Sequence, residues 1–289
     1  MSHAASGEDL LYSASPGDKS VYIYNFLTGQ PAGTLTGLKT PVALCSDAHG
    51  NVWVGDWLGD SKDPGQLIKF AHGGTSPLEK LPNNSAPIDC GVDPTTGNLA
   101  VVAPDYESPY GDLVIYYGGK GKPHYYRTRV EAESCTYDSR GNLFVTGGLN
   151  TYSAGIDWLK KGSAKFVKFR LSPFAYPHYG VRWDGHHHLV IAGSPDDFYQ
   201  YAVKHGIGEQ LRNFRLSRGG VRVSLFWIAG STLVGSNDGY SSDDEVDYWR
   251  YPGGKLRKRI IVSTSRAGVT VSRAGRTEPR RTNPGVALQ

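Results

Sequence analysis

The stretch Asp138-Ser139-Arg140-Gly141-Asn142-Leu143-Phe144-Val145 reads as a tight turn followed by a strand. Asp, Gly and Asn bond or bend the chain back on itself, and the Leu-Phe-Val run suits a pleated, half-buried surface. Three other segments repeat it: Asp47 to Val54, Asp93 to Val102 and Asp184 to Ile191. Their first strand residues, Val52, Leu99, Leu143 and Leu189, are spaced 47, 44 and 46 apart. Weaker copies start at Leu10, 42 residues before, and Leu233, 44 residues after. Six units result, and a fixed period of this length is the mark of a repeat architecture.

A second series gives the same number. An aromatic residue closes a short apolar run at Tyr24, Phe70, Tyr116, Trp158, Tyr201 and Trp249, and a glycine follows within a few residues each time. Each unit has room for about four strands, the pattern of a propeller blade. A β-sandwich is the competing all-β architecture, and the six-fold regularity favours the propeller.

In the second unit the strands, named a to d from the axis outward, are expected at Pro41 to Asp47, Val52 to Asp56, Gln66 to Phe70 and Leu78 to Leu81. The first unit has too few residues before Leu10 for a strand a. Gly268-Val-Thr-Val-Ser-Arg-Ala-Gly275 resembles the start of unit two and is expected to supply it, closing the ring and removing an open sheet edge. The expected organisation is an N-terminal extension (1–9), a six-bladed all-β propeller of four-stranded blades (10–276) and a disordered basic tail (277–289).

Composition agrees. The 289 residues include 37 Gly and 18 Tyr, suited to many turns and strands, and no apolar run approaches a membrane-spanning length. Residues 1–9 carry neither a basic n-region nor an apolar h-region, so the expected extracytoplasmic placement, periplasmic or secreted, presumes a leader absent from this chain, with a cytoplasmic location as the alternative. Three cysteines without C-x-x-C spacing predict neither a disulfide framework nor a zinc site; all three read as small buried apolar side chains.

The D-x-x-G-N-[LV]-[FWA]-V signature resembles NHL repeats and the related SMP-30/gluconolactonase-like and virginiamycin B lyase-like six-bladed propellers, over about residues 8 to 275. The resemblance implies architecture more than activity, since such propellers include lactonases, lyases and interaction modules.

In a propeller the b–c and d–a connections share one face, here called the loop face, and the a–b and c–d hairpins share the other, the turn face. The b–c loops carry Asp18, Asp56, Asp60, Asp63, Asp105, Glu107, Asp196, Asp197, Asp238, Asp243, Asp244 and Glu245 against Lys19 and Lys62. The c–d turns carry Lys120, Lys122, Lys160, Lys161, Lys204 and Lys255. An acidic loop face and a basic turn face are therefore expected. Asp56, Trp57, Asp105, Tyr106, Tyr152, Tyr179, Asp238 and Tyr240 are the candidates for engaging a small molecule or protein partner there.

For an enzyme, several oxygen ligands or acid–base groups must converge at the channel mouth. Asp89, Glu133, His178, Arg182 and Arg222 are the catalytic candidates on or near inner strands, and Asp89, Glu133 and Asn237 are the candidates for a divalent cation such as Ca²⁺. Arg182 and Arg222 could equally neutralise Asp89 or Glu133. His186, His187 and His188 sit in an a–b turn rather than forming a metal tract, because consecutive residues point apart. Nucleic acid is disfavoured. Residues 255–281 hold nine Lys and Arg against Glu278, so the rest of the chain carries −4 out of a total of +4. The expectation is a monomeric, noncatalytic binding module, with a metal-dependent hydrolase, lactonase or lyase, and then an RNA-binding propeller, as alternatives.

Overall fold

A computed structural model describes residues 7–59, 65–103, 112–150, 153–177, 179–193, 196–217, 223–237, 245–262 and 267–275. Blade 1 holds β1 (Leu10–Ser15), β2 (Ser20–Asn25) and β3 (Pro31–Leu35); blade 2 holds β4 (Thr40–Ser46), β5 (Val52–Trp57), β6 (Gly65–Phe70) and β7 (Pro77–Asn83). Blade 3 is β8 (Asp89–Val92), β9 (Leu99–Val102), β10 (Asp112–Tyr116) and β11 (His124–Arg127). Blade 4 is β12 (Glu131–Tyr137), β13 (Leu143–Asn150), β14 (Ser153–Leu159) and β15 (Val167–Lys168). After β16 (Arg170–Ser172), blade 5 continues with β17 (Val181–Trp183), β18 (His188–Ala192), β19 (Asp197–Lys204) and β20 (Ile207–Arg215). Blade 6 is β21 (Phe226–Ala229), β22 (Thr232–Asn237), β23 (Glu245–Arg250) and β24 (Leu256–Ile261), and β25 (Val269–Ser272) follows.

The sheets are antiparallel meanders, and their inner strands β25, β4, β8, β12, β17 and β21 contact one another in a closed ring. Strand β25 completes blade 1 by pairing with β1, Leu10 opposite Ser272 through Ser13 opposite Val269. It also bridges to blade 2, where the Gly268 amide donates to the Val42 carbonyl at 2.8 Å. Blade 5 departs from four strands, because β16 adds itself in parallel to the outer edge of β20. Glu8 and Asp9 are tied to the propeller: the Glu8 carbonyl meets His72 Nε2 at 3.1 Å, and the Ala274 amide donates to Asp9 at 3.0 Å.

Six apolar clusters hold the ring together, one at each junction between blades. Strand periodicity explains the division, since alternate residues face opposite neighbours. In β5, Val52 and Val54 face blade 1 while Trp53 faces blade 3. In β9, Leu99 and Val101 face blade 2 while Ala100 and Val102 face blade 4. The two sequence series meet as cross-strand pairs: Val52–Phe70, Leu99–Tyr116, Leu189–Tyr201 and Leu233–Trp249. Blades 1 and 4 correct the sequence register by one residue. There the equivalent pairs are Leu11–Tyr24 and Leu143–Leu159, so Leu10 and Trp158 face the other junction.

The cysteine reading is also corrected. Cys45 on β4 and Cys90 on β8 form a disulfide joining the inner strands of blades 2 and 3, and only Cys135 remains a thiol. Cys45 stands one register position away from Cys90, an offset that brings the two strands' side chains together across the junction.

Candidate functional site

The signature turn builds the turn face. In blade 4, Asp138 Oδ1 accepts from the Arg140 and Asn142 amides at 2.9 and 2.8 Å, and Asn142 Nδ2 donates to Oδ2 at 2.7 Å. Blade 2 repeats this with Asp47, His49 and Asn51. The Asn carbonyl then reaches the neighbouring hairpin: Asn142 Oδ1 accepts from the Lys161 amide at 3.0 Å, and Asn98 Oδ1 from the Gly118 amide at 2.8 Å. One Asp–Asn pair thus welds an a–b turn to a c–d turn. In blade 5 His188 replaces the Asn, its Nδ1 lying 2.8 Å from Asp184 Oδ2. His187 takes the glycine's place with φ of +72°, against +84° for Gly141. The three histidines are turn residues. Burial pushes the Asp184 carboxyl up, but bonds from the His186 and His188 amides, the His188 ring and the Tyr251 hydroxyl outweigh it and hold it below its ordinary value.

Between these turns, at the end of the channel, lies a cavity of about 410 Å³. Tyr137, Trp183 and Trp227 form its aromatic wall, Asp47, Asp184 and Arg273 reach its rim, and Arg182 lies in its floor. The volume falls within the range of about 300–1,000 Å³ typical of small-molecule sites. Tyr137 and Trp183 occupy one register position, the last inner-strand residue before the turn, opposite Leu143 and Leu189 in successive blades, whereas Trp227 stands one position off it in β21, opposite Val234. The other blades hold Ser46, Val92, Ile228 and Val271 there, opposite Val52, Leu99, Leu233 and Leu11. An aromatic residue in two successive blades, at a position that is serine or aliphatic in the others, is the sequence signal that marks this site.

Arg182 crosses the channel to Asp89, reaching from blade 5 over blade 4 to blade 3. Its Nη1 donates to Asp89 Oδ2 at 2.8 Å and its Nη2 to Oδ1 at 2.7 Å. Ser134 Oγ donates to Asp89 Oδ2 at 2.6 Å, the Cys135 amide adds a bond at 3.1 Å, and Arg182 Nη1 also reaches the Cys135 and Val181 carbonyls. The guanidinium lies 5.8 Å from the Trp227 ring centroid. Burial opposes the Arg182 charge, yet the Asp89 carboxylate overcomes it and the net shift of Arg182 is upward. Both Asp89 oxygens are committed to this pair, so Asp89, Glu133 and Asn237 do not form a ready cation cage. Among the described residues, no group of three or more His, Cys, Asp or Glu is placed to hold a metal ion. Arg182 Nε and Trp183 Nε1 are buried donors with no acceptor among the described residues.

Toward the loop face the picture changes. Asp56 is fully buried; its Oδ1 accepts from the Lys39 and Thr40 amides at 2.9 and 2.8 Å, and its Oδ2 from Gln66 at 3.0 Å. Asp18 bonds Ser15 and Tyr22, Asp196 and Asp197 pair with Arg215, and Glu245 pairs with Arg259. All five described members of the acidic loop set therefore have partners, and for Asp196, Asp197 and Glu245 those partners are Arg215 and Arg259, which offset part of the negative charge of that face. Trp57 and Tyr179 are half-buried beside it, the Tyr179 carbonyl accepting from Thr146 Oγ1 at 2.9 Å. Asn237 is buried next to Asp247. Glu133 is the extra residue of a bulge in β12, and burial, with Glu131 nearby, raises its carboxyl to about 7. Asp105, Tyr106, Tyr152, His178, Arg222, Asp238 and Tyr240 lie outside the described residues, as do Asp60, Asp63, Glu107, Asp243 and Asp244.

Two cations of the C-terminal basic stretch are structural. Lys258 Nζ donates to the Phe26 and Leu27 carbonyls, both at 2.9 Å, and Arg259 serves Glu245 and Asp247.

No protein-family model matches the chain, and no curated protein matches it. Solved structures do. A protein of unknown function from Bacteroides caccae superposes with a TM-score of 0.64 at 12% identity, covering 92% of this chain and 100% of that one. The β-propeller domain of Myceliophteria thermophila Cps50 (Swd1) gives 0.59 at 12% identity, covering 90% and 87%. A functionally unknown protein from Desulfotomaculum acetoxidans gives 0.59 at 10% identity, covering 92% and 90%. These likenesses establish the six-bladed propeller fold and nothing finer.

Proposed function

We propose that this propeller is a noncatalytic binding module whose ligand site is the aromatic cavity at the turn-face end of the channel. One observation carries the reading. Arg182 Nε and Trp183 Nε1, two buried N–H groups in residues lining the cavity, lack acceptors among the described residues, and each unpaired buried donor costs about 1–3 kcal/mol. A small ligand with acceptor oxygens and a flat or apolar face would stack on Trp183 and Trp227 and reach the buried donors after a shift of the wall side chains. The Asp89–Arg182 pair serves as a rigid floor, neutral overall, that orients the ligand rather than reacting with it.

Trp57 and Tyr179 keep the loop face as a second contact surface in this proposal, for a protein partner. The Cys45–Cys90 bond is of a kind that persists in oxidising compartments, and we place the protein outside the cytoplasm on that ground. The likeness to NHL and SMP-30-type propellers is part of the same proposal, carried by the turn signature alone.

The test is a thermal-shift screen of small carboxylates, amides and neutral sugars on the wild type and on Trp227→Ala. A specific ligand raises Tm in the wild type by the amount RT ln(1 + [L]/Kd) implies, and loses at least tenfold in affinity in the variant. Binding that is indifferent to Trp227, or no binding in any class, overturns the cavity as the site.

A second reading has its own observation. Glu133 titrates near neutrality at the loop-face end of the channel, as a general acid or base would. On that reading the protein is a propeller hydrolase or lyase, and activity on lactones or esters would follow a pH profile that Glu133→Gln abolishes.

A further inference from the structure

A second basin, about 460 Å³, lies on the turn face between blades 3 and 4. Two hairpins and the signature turns make it. Asn98 fixes the c–d turn of blade 3 through the Gly118 amide, and Asn142 fixes that of blade 4 through the Lys161 amide. Each turn delivers residues that the repeat does not require. Blade 3 presents Tyr117 and Tyr126, whose hydroxyls share a hydrogen bond of 2.6 Å. Blade 4 presents Lys160 and Lys161, both exposed. Lys160 Nζ stands 4.8 Å from the Trp158 ring centroid, and Lys161 Nζ donates to Thr95 Oγ1 at 2.7 Å. Neither lysine has a carboxylate within ion-pair distance among the described residues. The acid nearest at hand, Asp93, is buried and already accepts from Thr95 and Thr96. Asn98 also lines the basin, and its Nδ2 has no acceptor among the described residues, because the two threonines take the Asp93 bonds that an Asn makes in blades 2 and 4.

The chemistry is that of an anion recognised beside a ring. Lys160 and Lys161 line the same space as Tyr117, Tyr126 and the Asn98 amide, large enough for a sugar unit, with the Lys160 ammonium resting outside it over Trp158. Burial, with the Tyr117 hydrogen bond, holds the Tyr126 hydroxyl up to about 12, and like any tyrosine it is protonated at neutral pH. We propose that this basin is a binding site for an acidic saccharide, the sugar ring lying against Tyr117 and Tyr126 and its carboxylate or sulfate taken by Lys161, with the exposed Lys160 swinging in from Trp158. The site is separate from the channel cavity, although Tyr137 forms part of both walls. It therefore stands or falls independently of the proposal made for Trp183 and Trp227.

Isothermal titration of the full chain tests it with four probes: an oligoglucuronate, chondroitin sulfate, a neutral oligosaccharide of matching length and inorganic sulfate. The acidic saccharides are expected to bind, with affinity falling as salt rises, because two lysines are being neutralised. Lys160→Gln/Lys161→Gln should weaken them at least tenfold with unchanged Tm, Tyr126→Ala should weaken them further than it weakens sulfate, and Trp227→Ala should leave them unchanged. A preference for uronate over sulfated chains, or the reverse, identifies which anion the lysines take. The proposal is overturned if no acidic saccharide binds, if the neutral saccharide binds as well, if inorganic sulfate binds as tightly as the saccharides, or if the double lysine variant binds normally.

Discussion

The two faces of the propeller spend their polar residues differently. On the loop face, the described carboxylates hold the fold: Asp56 caps the approach to β4, Arg215 takes Asp196 and Asp197, and Arg259 takes Glu245 and Asp247. On the turn face the structural work is done by the repeated Asp and Asn of the signature, leaving non-repeating residues at liberty to line two cavities. Charge counted along a sequence overstates a face whose charges are paired. Residues that break a repeat, at positions the repeat has already satisfied elsewhere, are better markers of a site.

The floor between the faces offers the largest effect. Arg182→Ala strands the buried Asp89 carboxylate, and urea unfolding should show a loss of about 3–5 kcal/mol. Asp89→Leu/Arg182→Met should recover most of it, because a filled apolar channel replaces a buried pair at little cost. A loss under 1 kcal/mol for the single variant would show that the channel floor is wet and adaptable.

Next in size is the clamp beside that floor. Cys45→Ser removes a bond closing a separation of 45 residues, with an expected cost of about 2–4 kcal/mol and a matching sensitivity of the wild type to reductant. An unchanged unfolding midpoint in reductant would contradict the pairing.

Asp56→Ala then sharpens the contrast directly. It leaves the Lys39 and Thr40 amides and Gln66 without their acceptor, at a cost of about 2 kcal/mol, whereas Lys160→Gln/Lys161→Gln on the other face should stay within about 0.5 kcal/mol of wild type. Equal costs would erase the distinction between faces.

A further effect is on pH. Glu133 is raised in the folded protein above its ordinary value of 4.5 to about 7, so its contribution to stability is present below pH 4.5 and lost as pH rises through 7. Glu133→Gln should therefore match the wild type at pH 4.5 and melt higher at pH 8. Parallel Tm curves would show that the carboxyl is fully solvated.

Much of the architecture was legible in residues that recur. The D-x-x-G-N turns and the aromatic of strand c specify six blades because each unit must repeat the same turn and the same packing against its neighbour, and the 268–275 stretch matches unit two because β25 does the work of β4. The one-residue slips at Leu10 and Trp158 escaped because adjacent positions are both apolar there: Leu10 and Leu11 are both buried, and half-buried Trp158 stands beside buried Leu159. The disulfide escaped because pairing runs between blades at offset positions, where equal register is the wrong criterion. Arg182 was legible as a partner for Asp89, since a buried cation on an inner strand needs a carboxylate. The turn-face cavities were not, because their signal is not charge but an aromatic at one repeated position, Tyr137 and Trp183, with Trp227 one position off it in blade 6.

The most direct test of the turn face as the working face is hydrogen exchange, measured with and without the first ligand obtained from the screen. The account predicts new protection in peptides covering residues 46–49, 136–141 and 183–187. Protection confined to 56–64, 104–111 or 238–244, with the turn segments unchanged, would contradict it and return the site to the loop face.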